Sequence, residues 1–345
     1  MKFNRQLLIT LCKIAIPLGI IVFLLYRIEP AQWDELAQHP KNYPLLVAAM
    51  LVAITSISLS FARWWLLVRC QGIELSLLEA FRLGSICYLL NFVSAGSVGG
   101  DLFKAIFLAK RRPGRRVQAV ASVLVDRGVG LYGLLLIVSA AFLFHRSDDP
   151  FSLAGEDMRQ LKIGTAVLVG LGTTVLAVLI FGGNFVDRLV QRLGKLPVIG
   201  NLVLRIGPPL RMFHNHPIAF GVAVLMSIAV HGLLTISLYL IARSLYPSVP
   251  TLAEHVIIVP IGMLASALPL TPAGIGVFEA AIDWLYKIIP AQSTNASGTL
   301  VALVFEMVKV LIAILGTVFY WTASAEVKES LQEAEQSEPP QHADA

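Results

Sequence analysis

Two stretches of this 345-residue chain set ionisable side chains beside glycine-rich breaks in apolar sequence. The first, SVGGDLFKA, carries Gly99, Gly100, Asp101 and Lys104. The second, PLTPAGIGVFE, carries Pro269, Pro272, Gly274, Gly276 and Glu279. Each leads into a further apolar run with charges of its own: Asp126 and Arg127 in VLVDRGVGL, and Glu306 and Lys309 in VFEMVK. Glycine permits positive φ and close backbone approach, and proline removes an N–H and disfavours helix just before it. A helix that resumes after such a break presents its first amides and about half a positive charge to whatever lies in front, which is an anion-binding arrangement. Lys104 and Arg127 could add cationic contacts to a phosphate, while Asp101, Glu279 and Glu306 could gate by ion pairing or bind a cationic group.

Spacing narrows these roles. Asp101 and Lys104 are three residues apart, as are Glu306 and Lys309, so each pair meets on one helix face. Asp126 and Arg127 are adjacent and point to different sides, so each is expected to find its partner on another helix. All of these pairs also have a purely structural reading, in which they only fix helix register. His231, in SIAVHGLLTIS, reads as a hydrogen-bonded core histidine, and Arg63 and Arg69 read as anchors that snorkel to the membrane surface. Catalytic groupings such as HExxH and GxSxG are absent, and GSVGGD lacks the GK[ST] of a P-loop. The three cysteines, Cys12, Cys70 and Cys87, have no metal-binding or disulfide-framework spacing. No cofactor and no metal site is expected.

The elements that must hold these residues are membrane helices. Only 14% of the chain is charged and 56% is hydrophobic, against about 25% charged in a typical soluble domain. Apolar runs of about 20 residues, the length that crosses a bilayer, fall at roughly 7–26, 44–68, 117–144, 161–183, 218–243 and 298–322. Two longer segments, about 76–110 and 253–289, contain the breaks. Lys2, Arg5 and Lys13, the cluster Lys110 to Arg116, and the basic run Arg188 to Arg211 lie on one side of these spans. The positive-inside rule places that side, with both termini, in the cytoplasm. Each broken segment must then enter and leave on one face, the first from inside and the second from outside. The net charge of +5 sits beside apolar segments and is no nucleic-acid signal.

The two broken segments with their following spans align as an internal repeat. Asp101 matches Glu279 and Asp126 matches Glu306, at separations of 25 and 27 residues. The expected fold is therefore an all-α polytopic membrane protein, about six spans plus two re-entrant helical hairpins in an inverted-topology repeat. Its halves run from about 44 to 144 and from 218 to 322, within a membrane domain of residues 1–325. The start MKFNRQLLIT precedes no A-x-A-like site and reads as a retained helix rather than a cleaved signal. The segment FVDRLVQRLGKL has apolar residues at a 3–4 spacing, which suits an interfacial helix or a solvated connector. Residues 326–345, with six acidic residues and one lysine, read as a disordered cytoplasmic tail.

On these motifs the chain resembles the flippase-like family of the lysylphosphatidylglycerol synthase transmembrane region, the membrane part of multiple-peptide-resistance-factor proteins. The residues that carry the resemblance are Gly99, Gly100, Asp101 and Lys104, then Arg127, then Pro269, Pro272, Gly274, Gly276 and Glu279. The resemblance implies movement of a phospholipid or other lipid between leaflets, in a bacterial cytoplasmic membrane, through a central polar cavity. It also implies a membrane lipid as partner, and it allows a homo-oligomer or a lipid-synthesising partner enzyme. The aminoacyl-transferase domain of the multidomain members has no counterpart in this sequence, so a stand-alone, non-enzymatic member is expected. A transporter of a small anionic solute and an intramembrane lipid-modifying enzyme are the alternatives.

Overall fold

A computed structural model describes residues 30–93, 99–111, 114–144, 155–195, 214–267 and 274–321, with a few isolated positions between them. Most of the expected first span, the acidic tail, Pro269 and Pro272 lie outside the described residues. The described structure is helical. A short helix, α1 (Pro30–Gln38), precedes α2 (Tyr43–Cys70). The first broken segment forms α3 (Leu77–Val93) and α4 (Gly99–Arg111), followed by α5 (Arg116–Phe144) and α6 (Gly155–Phe181). The short α7 (Gly183–Leu193) leads towards α8 (Pro217–Leu245). The second broken segment forms α9 (Leu252–Ala267) and α10 (Val277–Ile288), and α11 (Gly298–Trp321) follows. Among the described residues, three helices are long and apolar enough to cross a membrane: Tyr43–Cys70, Arg116–Phe142 and Pro217–Leu245.

The first helix of that set and the last form the spine. α2 and α8 pack along each other with alanines at the contact, Ala49 and Ala53 being fully buried. Small residues let membrane helices approach closely, and hydroxyls then bond across the seam. Ser56 Oγ donates to the Val230 carbonyl on α8 at 2.8 Å, and Ser237 Oγ on α8 donates to the Ala49 carbonyl at 2.8 Å. These bonds are reciprocal. Donor and acceptor are seven residues apart on each helix (49 and 56, 230 and 237), so the two helices run antiparallel and exchange equivalent positions.

The remaining packing follows the same plan. The two helices of each broken segment pack on one another, α3 on α4 and α9 on α10. The second helix of each pair packs on the long helix after it, α4 on α5 and α10 on α11. The first helix of each pair packs on the long helix that follows the other pair, α3 on α11 and α9 on α5. Glycines make the hairpins tight. A Cβ on Gly100 would fall 2.3 Å from the Cys87 carbonyl and 2.7 Å from Asn91 Oδ1, and one on Gly262 would fall 2.6 Å from Ile282. Gly274 and Gly276 have φ of 74° and 86°, the left-handed region that favours glycine. Outward faces stay apolar: Val167, Leu171 and Val175 on α6, and Met307, Leu311 and Ile314 on α11, are all more than half exposed.

Candidate functional site

The first charged group forms where α4 begins. Gly99 opens the helix, which places Asp101 in its first turn. Asp101 pairs with Arg127 on α5 and lies 4.0 Å from Lys104 one turn along. Lys104 Nζ also sits 4.9 Å above the Trp64 ring on α2, a cation–π contact that holds the ammonium without a second carboxylate. The Asp101 and Lys104 side chains are mostly buried, but Arg127 is 45% exposed. It shares its face of α5 with Leu124 and Leu131, both exposed. The helix N-terminus is already occupied in part, because the Gly100 amide donates to Asn91 Oδ1 on α3 at 3.1 Å.

The second charged group forms where α10 begins. Glu279 is fully buried, and its Oε2 accepts the Gly276 amide at 2.6 Å, the carboxylate half of a capping box. The anion expected in front of this half-helix is thus supplied by the chain itself. On α11, Lys309 pairs with Glu306 at 2.5 Å and lies over the Phe278 and Phe305 rings, 5.3 and 5.2 Å from their centroids. Those rings pack 5.7 Å apart, and each is the neighbour in sequence of one carboxylate, Glu279 or Glu306. Both groups border α3, which packs on α4 and on α11.

A third group was not foreseen as such. Arg63 does not snorkel. It is buried, with Nε donating to Asp126 Oδ1 at 2.8 Å and Nη1 to Ser227 Oγ on α8 at 3.1 Å. Asp126 is what turns it inward, since two buried opposite charges must find one another. Arg69, one turn and a half later, is exposed and stacks over Trp65. Ser227 bonds on to the Val129 carbonyl, and His231 Nε2 lies 3.0 Å from the Gly130 carbonyl, so His231 is the hydrogen-bonded core residue its context suggests. Asp126 and Arg127 do find partners on other helices, α2 and α4.

The family model described as the lysylphosphatidylglycerol synthase TM region matches residues 10–316, which includes every charged group above. The chain belongs to this family. No curated protein and no solved structure matches it. The lysylphosphatidylglycerol synthase TM region, with its apolar helices, makes the protein an integral membrane protein related to lipid synthesis or translocation.

Within this family member, sequence reasoning found the charges on the broken segments but missed two partners: Arg63 and Trp64. It also missed a cluster at the far end of α9. There Glu254 accepts from the Thr251 amide and from the Ala291 amide at 2.6 and 2.7 Å, and His255 Nε2 meets the Tyr286 hydroxyl at 2.8 Å. The signal for half of it, a Thr-x-x-Glu capping box at 251–254, was legible. Among the described residues no group of three His, Cys, Asp or Glu side chains could hold a metal ion.

Proposed function

We propose that the protein moves a lipid between leaflets, holding its head group at the charged groups between two inverted halves. The observation that carries this reading is the placement of Arg127. Its guanidinium is paired to Asp101 at the start of an interrupted helix, yet nearly half exposed on an apolar outer face. A cation there is reachable by a phosphate whose acyl chains stay in the membrane. An ionisable group at membrane depth is otherwise too costly to keep without a partner or water.

The repeat supports the reading. The reciprocal Ser56 and Ser237 bonds relate α2 to α8 by an offset of 181 residues (49 to 230, 56 to 237). Asp101 and Glu279 differ by 178 and Asp126 and Glu306 by 180. Antiparallel partners with equivalent contacts are consistent with a two-fold axis in the membrane plane, the symmetry by which alternating-access carriers open to either side. In this reading α3–α4 and α9–α10 are re-entrant hairpins, one from each face, with both termini in the cytoplasm. The protein performs no covalent chemistry, works without a cofactor, and receives its lipid from the membrane or from a lipid-synthesising enzyme.

The test is reconstitution into liposomes with head-group-varied fluorescent lipids, with uptake of labelled inorganic phosphate followed in the same vesicles. Lipid movement without phosphate uptake is the expected result. Phosphate uptake without lipid movement would replace the reading with a soluble-anion transporter, and a chemically altered lipid would replace it with an enzyme.

A further inference from the structure

The group at the start of α10 holds more negative charge than positive. Lys309 pairs with Glu306 and lies over the ring of Phe278, the residue before Glu279, so two carboxylates stand beside one ammonium. Glu279 is 0% exposed and Glu306 6%. Glu279 Oε1 and Glu306 Oε2 have no hydrogen-bond partner among the described residues. A buried carboxylate without its own cation is neutralised rather than left ionised, and two carboxylates in one site do not both ionise readily.

The other charged and titratable groups on the surrounding helices are engaged elsewhere or are neutral. On α10, Asp283 pairs with Lys287 at 2.8 Å. On α9, Glu254 and His255 bond to the Ala291 amide and to Tyr286. On α8, His231 bonds to the Gly130 carbonyl, and on α2 Arg63 pairs with Asp126. From α3 the neighbour is Tyr88, a phenol. A metal cation would need several oxygen ligands, and the walls here are Phe278, Phe305 and an ammonium. A proton needs neither a cage nor a cavity.

We infer that Glu279 and Glu306 together bind one exchangeable proton, and that this proton is the ion linked to movement of the lipid. Glu279 is the counterpart of Asp101, whose carboxylate is held by Arg127 and Lys104, whereas the one ammonium beside Glu279 already pairs with Glu306. The link to transport rests on the function proposed above, but the proton site does not.

Infrared spectroscopy of the full chain in liposomes reads the site directly, because a protonated carboxyl has a carbonyl stretch apart from that of a carboxylate. The wild type is expected to show one such group at neutral pH that shifts on H/D exchange. Glu279→Gln and Glu306→Gln each leave one carboxylate for one ammonium, so each loses the band. Lys309→Met leaves two carboxylates and no ammonium, so its band doubles. Gel filtration confirms that each variant is folded, and three variants with two opposite outcomes keep the test independent of any one that fails. A wild type without the band, or a band unchanged in both glutamine variants, overturns the proton site. For the link, an imposed pH gradient is expected to alter the lipid rate of the wild type and not of Glu279→Gln. An unaltered rate overturns the link while lipid movement itself stands. If no lipid moves at all, the proposed function falls, and the infrared band still decides the proton site.

Discussion

Arg63 on α2 reaches Asp126 on α5 through a 2.8 Å hydrogen bond, with at most a tenth of either side chain exposed. The pair joins the spine to the first of the long helices that follow a hairpin, and Ser227 on α8 closes the junction. It is the most enclosed ion pair among the described residues, and it sits one residue from Arg127, whose environment is the opposite. Neighbours in sequence therefore take different work: Asp126 holds helices together, and Arg127 faces outwards.

Breaking that pair should be costly. Arg63→Leu or Asp126→Leu leaves a buried charge uncompensated, which typically costs about 3–5 kcal/mol. The double variant Arg63→Leu with Asp126→Leu removes both charges and should recover most of the loss. Thermal unfolding in detergent, followed by fluorescence gel filtration, reads the three variants. Equal losses in single and double variants would contradict the assignment.

Asp101 and Arg127 should behave as a working pair rather than a brace. Asp101→Asn is expected to leave the unfolding temperature near that of the wild type and to slow lipid movement by about tenfold, the factor that ~1.4 kcal/mol of barrier represents. Lys104, held by Trp64 as well as by Asp101, should keep its place.

The two spine hydroxyls should be interchangeable in effect. Ser56→Ala and Ser237→Ala each remove one cross-helix bond, for which about 0.6 kcal/mol is typical in membrane proteins. Losses of similar size, adding in the double variant, are expected from unfolding in detergent. A large loss in one and none in the other would show that the halves are not equivalent.

The hairpins should not tolerate a side chain at their closest approach. Gly100→Val places a branched Cβ against the Cys87 carbonyl, a backbone atom that cannot rotate away. Gly274→Ala meets Ser266 at 2.7 Å and holds a non-glycine residue at φ 74°, which costs about 1–2 kcal/mol before any clash. Both variants should lose lipid movement, and Gly128→Ala, where a Cβ meets nothing within 4 Å, should not.

Much of this was legible in the sequence because the bilayer leaves few options. SAGSVGG and PLTPAGIG put helix-disfavouring residues into apolar runs, and the outer limits expected for the two broken segments, about 76–110 and 253–289, fall within a residue of Leu77, Arg111, Leu252 and Ile288. Charges three residues apart found one another, as Glu306 and Lys309 show. Arg63 was misread because its position near a span end permits snorkelling. Its partner lies 63 residues away on a helix whose neighbours no local pattern reveals. The Ser56 and Ser237 bonds were equally hidden, since a serine in an apolar run does not say which carbonyl it meets. In front of α10, where an anion was expected, the Gly276 amide donates to Glu279 of the chain itself.

The most direct measurement is the rate at which dithionite bleaches fluorescent phospholipids in liposomes containing the protein. In empty liposomes only the outer leaflet is bleached. With the wild type, the inner-leaflet label is expected to be lost as well, at a rate that depends on the head group and falls in Asp101→Asn. Bleaching that stops at the outer leaflet for every head group, with and without a pH gradient, would contradict the claim that this protein moves lipid.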